Sequence, residues 1–101
     1  MHAFYSELLQ WLRSGIHEES VNALKLAECV ENFLEHPRGD EWDIIQKKTW
    51  HDNEMVFIEW IEKNEDSGTY CSPPWGRGFT SNVRRHLTKY GDNAFRHPIK
   101  R

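Results

Sequence analysis

Residues 17–36 read HEESVNALKLAECVENFLEH, and this stretch decides the fold class. Three apolar residues recur along it at spacings of four and three: Leu26, Val30 and Phe33. That spacing keeps them on one face of an α-helix. Glu18 and Glu19 come first, where the positive end of the helix dipole favours negative charge. Pro37 follows, and a residue before proline avoids helical backbone angles. The stretch therefore predicts a long amphipathic helix with a defined beginning and end.

Segments on both sides show helical patterns as well. Residues 4–15, FYSELLQWLRSG, carry a wide apolar stripe and end in Ser-Gly, while residues 80–91, TSNVRRHLTKYG, begin with capping hydroxyls and end in Gly. Residues 93–101 are expected to form a tail. Residues 42–62 are ambiguous: they fit a short helix capped by Asp40 followed by a helix capped by Asn53, but they are β-branched and aromatic enough for a hairpin.

These patterns predict a mainly α protein, a small antiparallel helical bundle with an irregular basic C-terminal extension. The alternative is an α+β fold with a β-hairpin in 42–62. With 101 residues the chain makes one domain, and 38% hydrophobic with 13% aromatic residues is enough for a core. The sequence contains no apolar run that could cross a membrane and no leader-like N-terminus, so we expect a cytoplasmic protein. In that compartment Cys29 and Cys71 are expected to be free thiols, with Cys29 buried on its helix.

Charge is distributed unevenly along the chain. Residues 1–70 contain six Lys/Arg and 15 Asp/Glu, whereas residues 71–101 contain seven Lys/Arg and one acid, Asp92. An acidic part suits a basic protein partner, and a basic part suits nucleic acid. The alternative is that the two parts neutralise each other within one molecule.

Residue patterns typical of enzymes are missing. Residues 71–76, CSPPWG, are similar to a loop of amino-group methyltransferases, but the Gly-rich turn and doubly wound sheet of those enzymes have no counterpart in this sequence. The six histidines are scattered without metal-ligand spacing, and nothing resembles a nucleophile elbow or a P-loop. We therefore expect no enzymatic activity, no catalytic residue, no cofactor and no metal.

One helical stripe combines acids with an apolar residue. Leu24, Glu28, Glu31 and Glu35 share a helix face, and Asp40, Glu41 and Asp43 follow with Trp42 and Ile44. A solvated helix tolerates such like charges at a cost of a few tenths of a kcal/mol per pair. Acids beside exposed apolar residues also make a protein interface, because the acids speed encounter and the apolar side chains supply affinity.

The C-terminal third interleaves cations with aromatic residues. Guanidinium and ammonium groups pair with phosphates, and aromatic rings stack on bases. This pattern predicts nucleic-acid contact through four residues: Arg77, Arg84, Arg85 and Lys89.

Residues 31–39, ENFLEHPRG, resemble the immunity proteins of DNase colicins and pyocins. In that family the second helix ends in Thr-Glu-His-Pro-x-Gly, followed by Asp-Leu-Ile-Tyr-Tyr-Pro. LKLAECVENF (24–33) tracks that helix, SELLQWL (6–12) is similar to the first one, and the spacing of Trp60, Asn64 and Gly68 follows the family's C-terminal motif. The resemblance covers about residues 6–70. It departs at Ile44-Ile45, which stand in place of the tyrosine pair, and at Glu41, which replaces the Asp.

The resemblance implies a small four-helix bundle that inhibits a basic nuclease by binding beside its active site. Carried over by position, the interface would use Leu24, Glu28, Glu31, Glu41 and Ile44. The leading hypothesis is thus a cytoplasmic bacterial immunity protein that neutralises a basic nuclease toxin through an acidic helix surface. The alternative is a small nucleic-acid-binding protein that uses the basic C-terminal third.

Overall fold

The computed structural model of the protein describes residues 3–36, 49–67 and 76–99. These residues are mainly helical, as predicted, and form a bundle around one hydrophobic core. None of the described helices is long and apolar enough to cross a membrane. The elements in chain order are α1 (Ala3–Leu12), α2 (Ser20–Glu35), α3 (Trp50–Ser67), α4 (Gly76–Tyr90) and the 3₁₀ helix η1 (Gly91–Arg96).

The start of α3 decides between the helix and the β-hairpin predicted for residues 42–62. Thr49 and Asp52 form a capping box: Thr49 Oγ1 accepts a hydrogen bond from the Asp52 N–H (3.3 Å) and donates one to Asp52 Oδ2 (2.7 Å). Residues 50–62 are helical, so the structure does not support the β-hairpin; residues 42–48 lie outside the described residues. Asn53, the cap expected from the sequence, is instead fully buried in the first turn.

Helix α1 forms the centre of the core. Six of its ten residues are buried: Phe4, Tyr5, Leu8, Leu9, Trp11 and Leu12. The helix ends where Ser14 Oγ donates to the Trp11 carbonyl (2.6 Å) and Gly15 adopts a φ of 77°, a left-handed angle that glycine tolerates best. The chain then reverses direction and leads into α2.

The Phe4 ring connects α1 to two other elements. Its centroid lies 4.9 Å from that of Trp50 and 6.1 Å from that of Phe57, both in α3, and 5.6 Å from that of Phe95 in η1. Edge-to-face ring pairs of this kind add about 0.5–1.5 kcal/mol beyond the burial of their area. Phe4 is fully buried and therefore holds the N-terminal helix and the C-terminal third in one core.

The C-terminal third contributes directly to that core. Helix α4 buries Phe79, Val83 and Leu87, and it ends at Gly91, whose φ of 55° gives the helix stop predicted from the sequence. The following residues differ from the expected tail. They form η1, and they place Ala94 and Ile99 among the buried residues.

A buried histidine fastens the last described residues to α1. The Trp11 indole Nε1–H donates to the His97 carbonyl (2.8 Å), and the Ile99 N–H donates to His17 Nδ1 (3.1 Å). Because Nδ1 accepts, the proton of neutral His17 sits on Nε2, which donates to the Trp11 carbonyl (2.7 Å). The Glu18 N–H completes the attachment by donating to the Ile99 carbonyl (3.2 Å).

A second buried histidine lies on the other side of Trp11. The His86 ring stacks on the indole at 5.0 Å between centroids, and His86 Nε2 lies 2.6 Å from the Ala94 carbonyl, to which it donates. Burial lowers the pKa of both His17 and His86, and the backbone hydrogen bond of each opposes that shift. Both rings are therefore neutral near pH 7.

Cys29 differs from the expectation of a free thiol. It is buried on α2 as predicted, but it is disulfide-bonded, and its partner lies outside the described residues. Disulfides persist in oxidising compartments. The cysteines consequently give no support to a cytoplasmic location, which stays a prediction.

The free energy of unfolding should decrease in mild acid because of His17 and His86. The unfolded chain takes up a proton at each histidine near a pKa of about 6.5, whereas the folded chain does so only at lower pH. Stability should therefore be complete above about pH 7, fall as the pH drops through about 6.5, and level off below the folded-state pKa. Urea unfolding at a series of pH values measures this slope.

Substituting His17 and His86 tests whether these two residues cause the pH dependence of the unfolding free energy. The double variant His17→Gln/His86→Gln should lose most of the slope. Burial raises the pKa of Glu54, and this carboxyl acts in the opposite direction, losing stability as the pH rises above about 4.5. Comparing variant with wild type cancels its contribution. An unchanged slope in the double variant would contradict the assignment.

Truncating Phe4 should be among the most destabilising single changes in the core. Phe4→Ala removes a fully buried ring and should cost about 3–5 kcal/mol of unfolding free energy. Phe4→Leu retains more volume and should cost less. Met55→Ala, at a side chain that is 57% exposed, is the control and should cost under about 0.5 kcal/mol. Equal midpoints of urea unfolding for Phe4→Ala and Met55→Ala would refute the central position of Phe4.

Candidate functional site

The residues predicted to bind a protein lie on the solvent side of α2. Leu24 is 48% exposed, Glu28 is exposed, and the Glu31 side chain is 46% exposed. The opposite side of the helix buries residues such as Leu26 and Val30, and this division follows from the three- and four-residue spacing of the sequence. Three of the five predicted contact residues are thus brought together; the other two, Glu41 and Ile44, lie outside the described residues.

Val21 also belongs to this surface, although it was not among the contact residues predicted from the sequence. Val21 is 65% exposed and precedes Leu24 by one helical turn, so the two apolar side chains are neighbours. Val21 lies seven residues before Glu28, and this spacing places the two residues on the same face of the helix. We define the α2 face as the solvent-facing residues of this stripe, which are exposed except for the half-buried Glu31: Val21, Leu24, Glu28, Glu31 and Glu35.

The acids of the α2 face are not equivalent. Arg13 Nη2 forms an ion pair and hydrogen bond with Glu31 Oε2, linking the end of α1 to α2. Glu28 and Glu35 have no ion-pair partner among the described residues. The local negative charge of the face therefore comes mainly from Glu28 and Glu35, with Glu31 partly neutralised.

The residues predicted to contact nucleic acid all belong to α4. Arg84 Nη1 pairs with Glu62 Oε1 of α3 at 2.9 Å, so one cation of the basic third is neutralised by the acidic part, as the internal-neutralisation alternative expected. Arg85 Nη2 donates instead to Asn82 Oδ1 (2.6 Å). The backbone of Arg77 lies in α4, but its side chain is outside what the structure describes.

Arg85 and Lys89 border a cleft between α4 and the C-terminal segment. The cleft has a volume of about 360 Å³. Pro98 and Ile99 close one side, and the α4 side and His97 provide its polar and aromatic groups: Asn82, Arg85, His86, Lys89, Tyr90 and His97. Among the described residues, no carboxylate lines it. The sequence contains no signal for this grouping, because the backbone bonds of Trp11 and His17 bring residues 97–99 beside α4.

Aromatic rings make up one part of the cleft wall. The Tyr90 and His97 rings stack with centroids 4.3 Å apart and planes 21° apart, and His86 lies 4.8 Å from Tyr90. Lys89 Nζ stands 5.2 Å from the Tyr90 ring centroid. The cleft thus combines the side chains of Arg85 and Lys89, the His86 imidazole and the stacked rings of Tyr90 and His97.

Other kinds of site find little support in the described residues. Within 3–36, 49–67 and 76–99, no group of three or more His, Cys, Asp or Glu is arranged to hold a metal ion. Comparisons of the chain with protein-family models, with curated proteins and with solved structures found no match. Within the part of the chain that the structure describes, the α2 face and the cleft on α4 are the candidate sites.

The ion pair between Arg13 and Glu31 should contribute little to stability. Both side chains are more than two-fifths exposed, and such pairs are typically worth about 0.2–1 kcal/mol. A double-mutant cycle with Arg13→Ala and Glu31→Ala should give a coupling energy in that range. The coupling should shrink in about 1 M salt, where the screening length is about 3 Å. A salt-independent coupling above about 2 kcal/mol would contradict this.

Proposed function

We propose that this protein binds and neutralises a basic nuclease toxin of the bacteriocin type through the α2 face, and that it acts as an immunity protein. The observation that carries the proposal is the exposure of Val21 and Leu24 beside the carboxylates of Glu28 and Glu35. The other apolar residues of α2 are buried, and its polar residues are exposed or half-buried. Two exposed apolar side chains one turn apart are the exception to that pattern.

A solvated helix face accounts for the acids but not for the apolar pair. Folding gains nothing from apolar area left in water, whereas covering a Val or Leu side chain in a complex contributes about 1.5–3 kcal/mol. Carboxylates around such anchors favour a positively charged partner and accelerate its encounter. A nuclease is such a partner, because its own substrate is a polyanion.

The sequence resemblance supports the same reading. Glu35, the last residue of α2, begins the motif Glu35-His36-Pro37-x-Gly39 of the immunity proteins, and the family's acidic second helix corresponds to α2. Glu41 and Ile44 would extend the interface beyond the end of α2. Binding beside the active site of the nuclease would block DNA from entering it.

The test is inhibition of a cognate nuclease. Nuclease domains encoded next to the gene of this protein are purified, and plasmid cleavage is measured as the wild-type protein is titrated in. Leu24→Ala/Glu28→Ala should weaken inhibition by about 30-fold or more, the loss typical of removing an interface hot spot of 2 kcal/mol. Survival of cells that express the toxin gives a second readout.

Helix α3 offers a matched control. Met55→Ala/Glu59→Ala removes an exposed apolar residue and an exposed acid at the same four-residue spacing, on a different helix. This variant should inhibit as well as the wild type. Equal inhibition by both double variants, or the lack of any neighbouring nuclease that the protein inhibits, would overturn the proposal.

The alternative function, nucleic-acid binding by Arg77, Arg84, Arg85 and Lys89, predicts different behaviour. Affinity for DNA should then fall steeply with salt, because each phosphate contact releases a counterion. It should also be indifferent to Leu24→Ala/Glu28→Ala. The pairing of Arg84 with Glu62 reduces the charge available for this role.

A further inference from the structure

We infer that the cleft between α4 and residues 97–99 binds a mononucleotide, with Arg85 and Lys89 holding its phosphate. This site is separate from the α2 face, and the inference does not depend on the proposed immunity function. It rests on the charge of the cleft, on the positioning of Arg85, and on the shape and rigidity of the walls.

The cleft carries two positively charged side chains. Arg85 and Lys89 are four residues apart on α4 and therefore project from the same side of the helix. Both are exposed, and within the part of the chain that the structure describes no carboxylate lines the cleft. Arg84, next along the helix, is instead paired with Glu62. Two adjacent cations without an acidic neighbour in the cleft favour an anionic ligand, and a phosphate accepts charge-assisted hydrogen bonds from both.

The arginine is held in position before any ligand arrives. Asn82 Oδ1 accepts a hydrogen bond from Arg85 Nη2 (2.6 Å), and Asn82 Nδ2 is 3.5 Å from Glu19 Oε2. The Glu19 carboxylate thereby orients the amide, which in turn orients one edge of the guanidinium. The remaining N–H groups of Arg85 stay available as donors. Fixing this side chain in advance lowers the entropy lost on binding.

Lys89 also stabilises the C-terminal end of α4. It lies in the last turn of α4, where a cation complements the negative end of the helix dipole. Arg85 lies one turn earlier, beyond the reach of that effect. Stabilisation of the helix end therefore accounts for Lys89 but not for Arg85, whose position is explained by binding of an anion in the cleft.

The walls indicate a ligand larger than a free phosphate ion. A volume of about 360 Å³ falls within the range of small-molecule sites, about 300–1,000 Å³. Pro98, Ile99 and the stacked rings of Tyr90 and His97 provide apolar and flat surface for a sugar or base. The backbone bonds from Trp11 and to His17 hold this wall in place, so the cleft is formed without ligand.

The test is calorimetric titration of the full chain with four probes: adenosine monophosphate, adenosine, inorganic phosphate and a ten-nucleotide thymidine strand. Adenosine monophosphate should bind saturably and more tightly than adenosine or phosphate alone. Arg85→Ala and Lys89→Ala should each weaken it by about tenfold or more, because each removes a charge-assisted hydrogen bond. Amide shifts of His97 and Ile99 in nuclear magnetic resonance spectra locate the site.

Two control variants remove the same charge elsewhere. Lys25→Ala lies on the exposed side of α2, and Arg84→Ala lies on α4 outside the residues that line the cleft. Both should change the affinity for adenosine monophosphate by less than about twofold, because neither side chain lines the cleft and that of Arg84 is already paired with Glu62. Far-UV circular dichroism checks that every variant is folded.

Three results would overturn the inference. The first is no saturable binding of adenosine monophosphate at millimolar concentration. The second is binding that Arg85→Ala and Lys89→Ala leave unchanged. The third is binding of the thymidine strand alone, weakened equally by Arg84→Ala and Arg85→Ala, which would identify an open nucleic-acid surface rather than a mononucleotide cleft.

Discussion

The hydrogen bond from the Trp11 indole to the His97 carbonyl is the contact on which the position of residues 97–99, and with it the cleft beside α4, depends. It is reinforced by His17, which accepts from the Ile99 amide and donates back to the Trp11 carbonyl. Together these bonds fasten a short segment, which has little secondary structure of its own, to the most central helix. The buried polar groups satisfy one another, so the segment is held at little cost in lost hydration.

That attachment has two consequences. It lets Ala94 and Ile99 complete the core, which already includes α1, α2, α3 and α4. It also forms one wall of the cleft beside Arg85 and Lys89. The stability of the fold and the shape of this cleft therefore depend on the same neutral imidazole, and both are linked to the protonation of a group whose pKa burial lowers.

The two candidate sites arise in different ways. The α2 face is local: Val21, Leu24 and Glu28 share one helical stripe, and any structure in which α2 packs by its apolar side exposes them. The cleft is tertiary, because it joins α4 to a segment that reaches it only through α1. The opposite charges of the two parts of the chain meet in the pair between Arg84 and Glu62, but this leaves a net negative helix on one surface and a net positive cleft on another.

The sequence by itself determined the helical class, the long amphipathic α2 and the exposure of Leu24 and Glu28, because these follow from a period of 3.6 residues acting over short distances. The start of α3 is visible in the sequence as well, because Thr49 and Asp52 have the spacing of a capping box. Only the tertiary structure decided that Ile99 belongs to the core and that residues 97–99 are fixed beside α1, since that depends on bonds between residues more than 80 positions apart. Neither the neutral state of His17 nor the cleft at Arg85 could be read from local spacing, because burial and long-range contact create both.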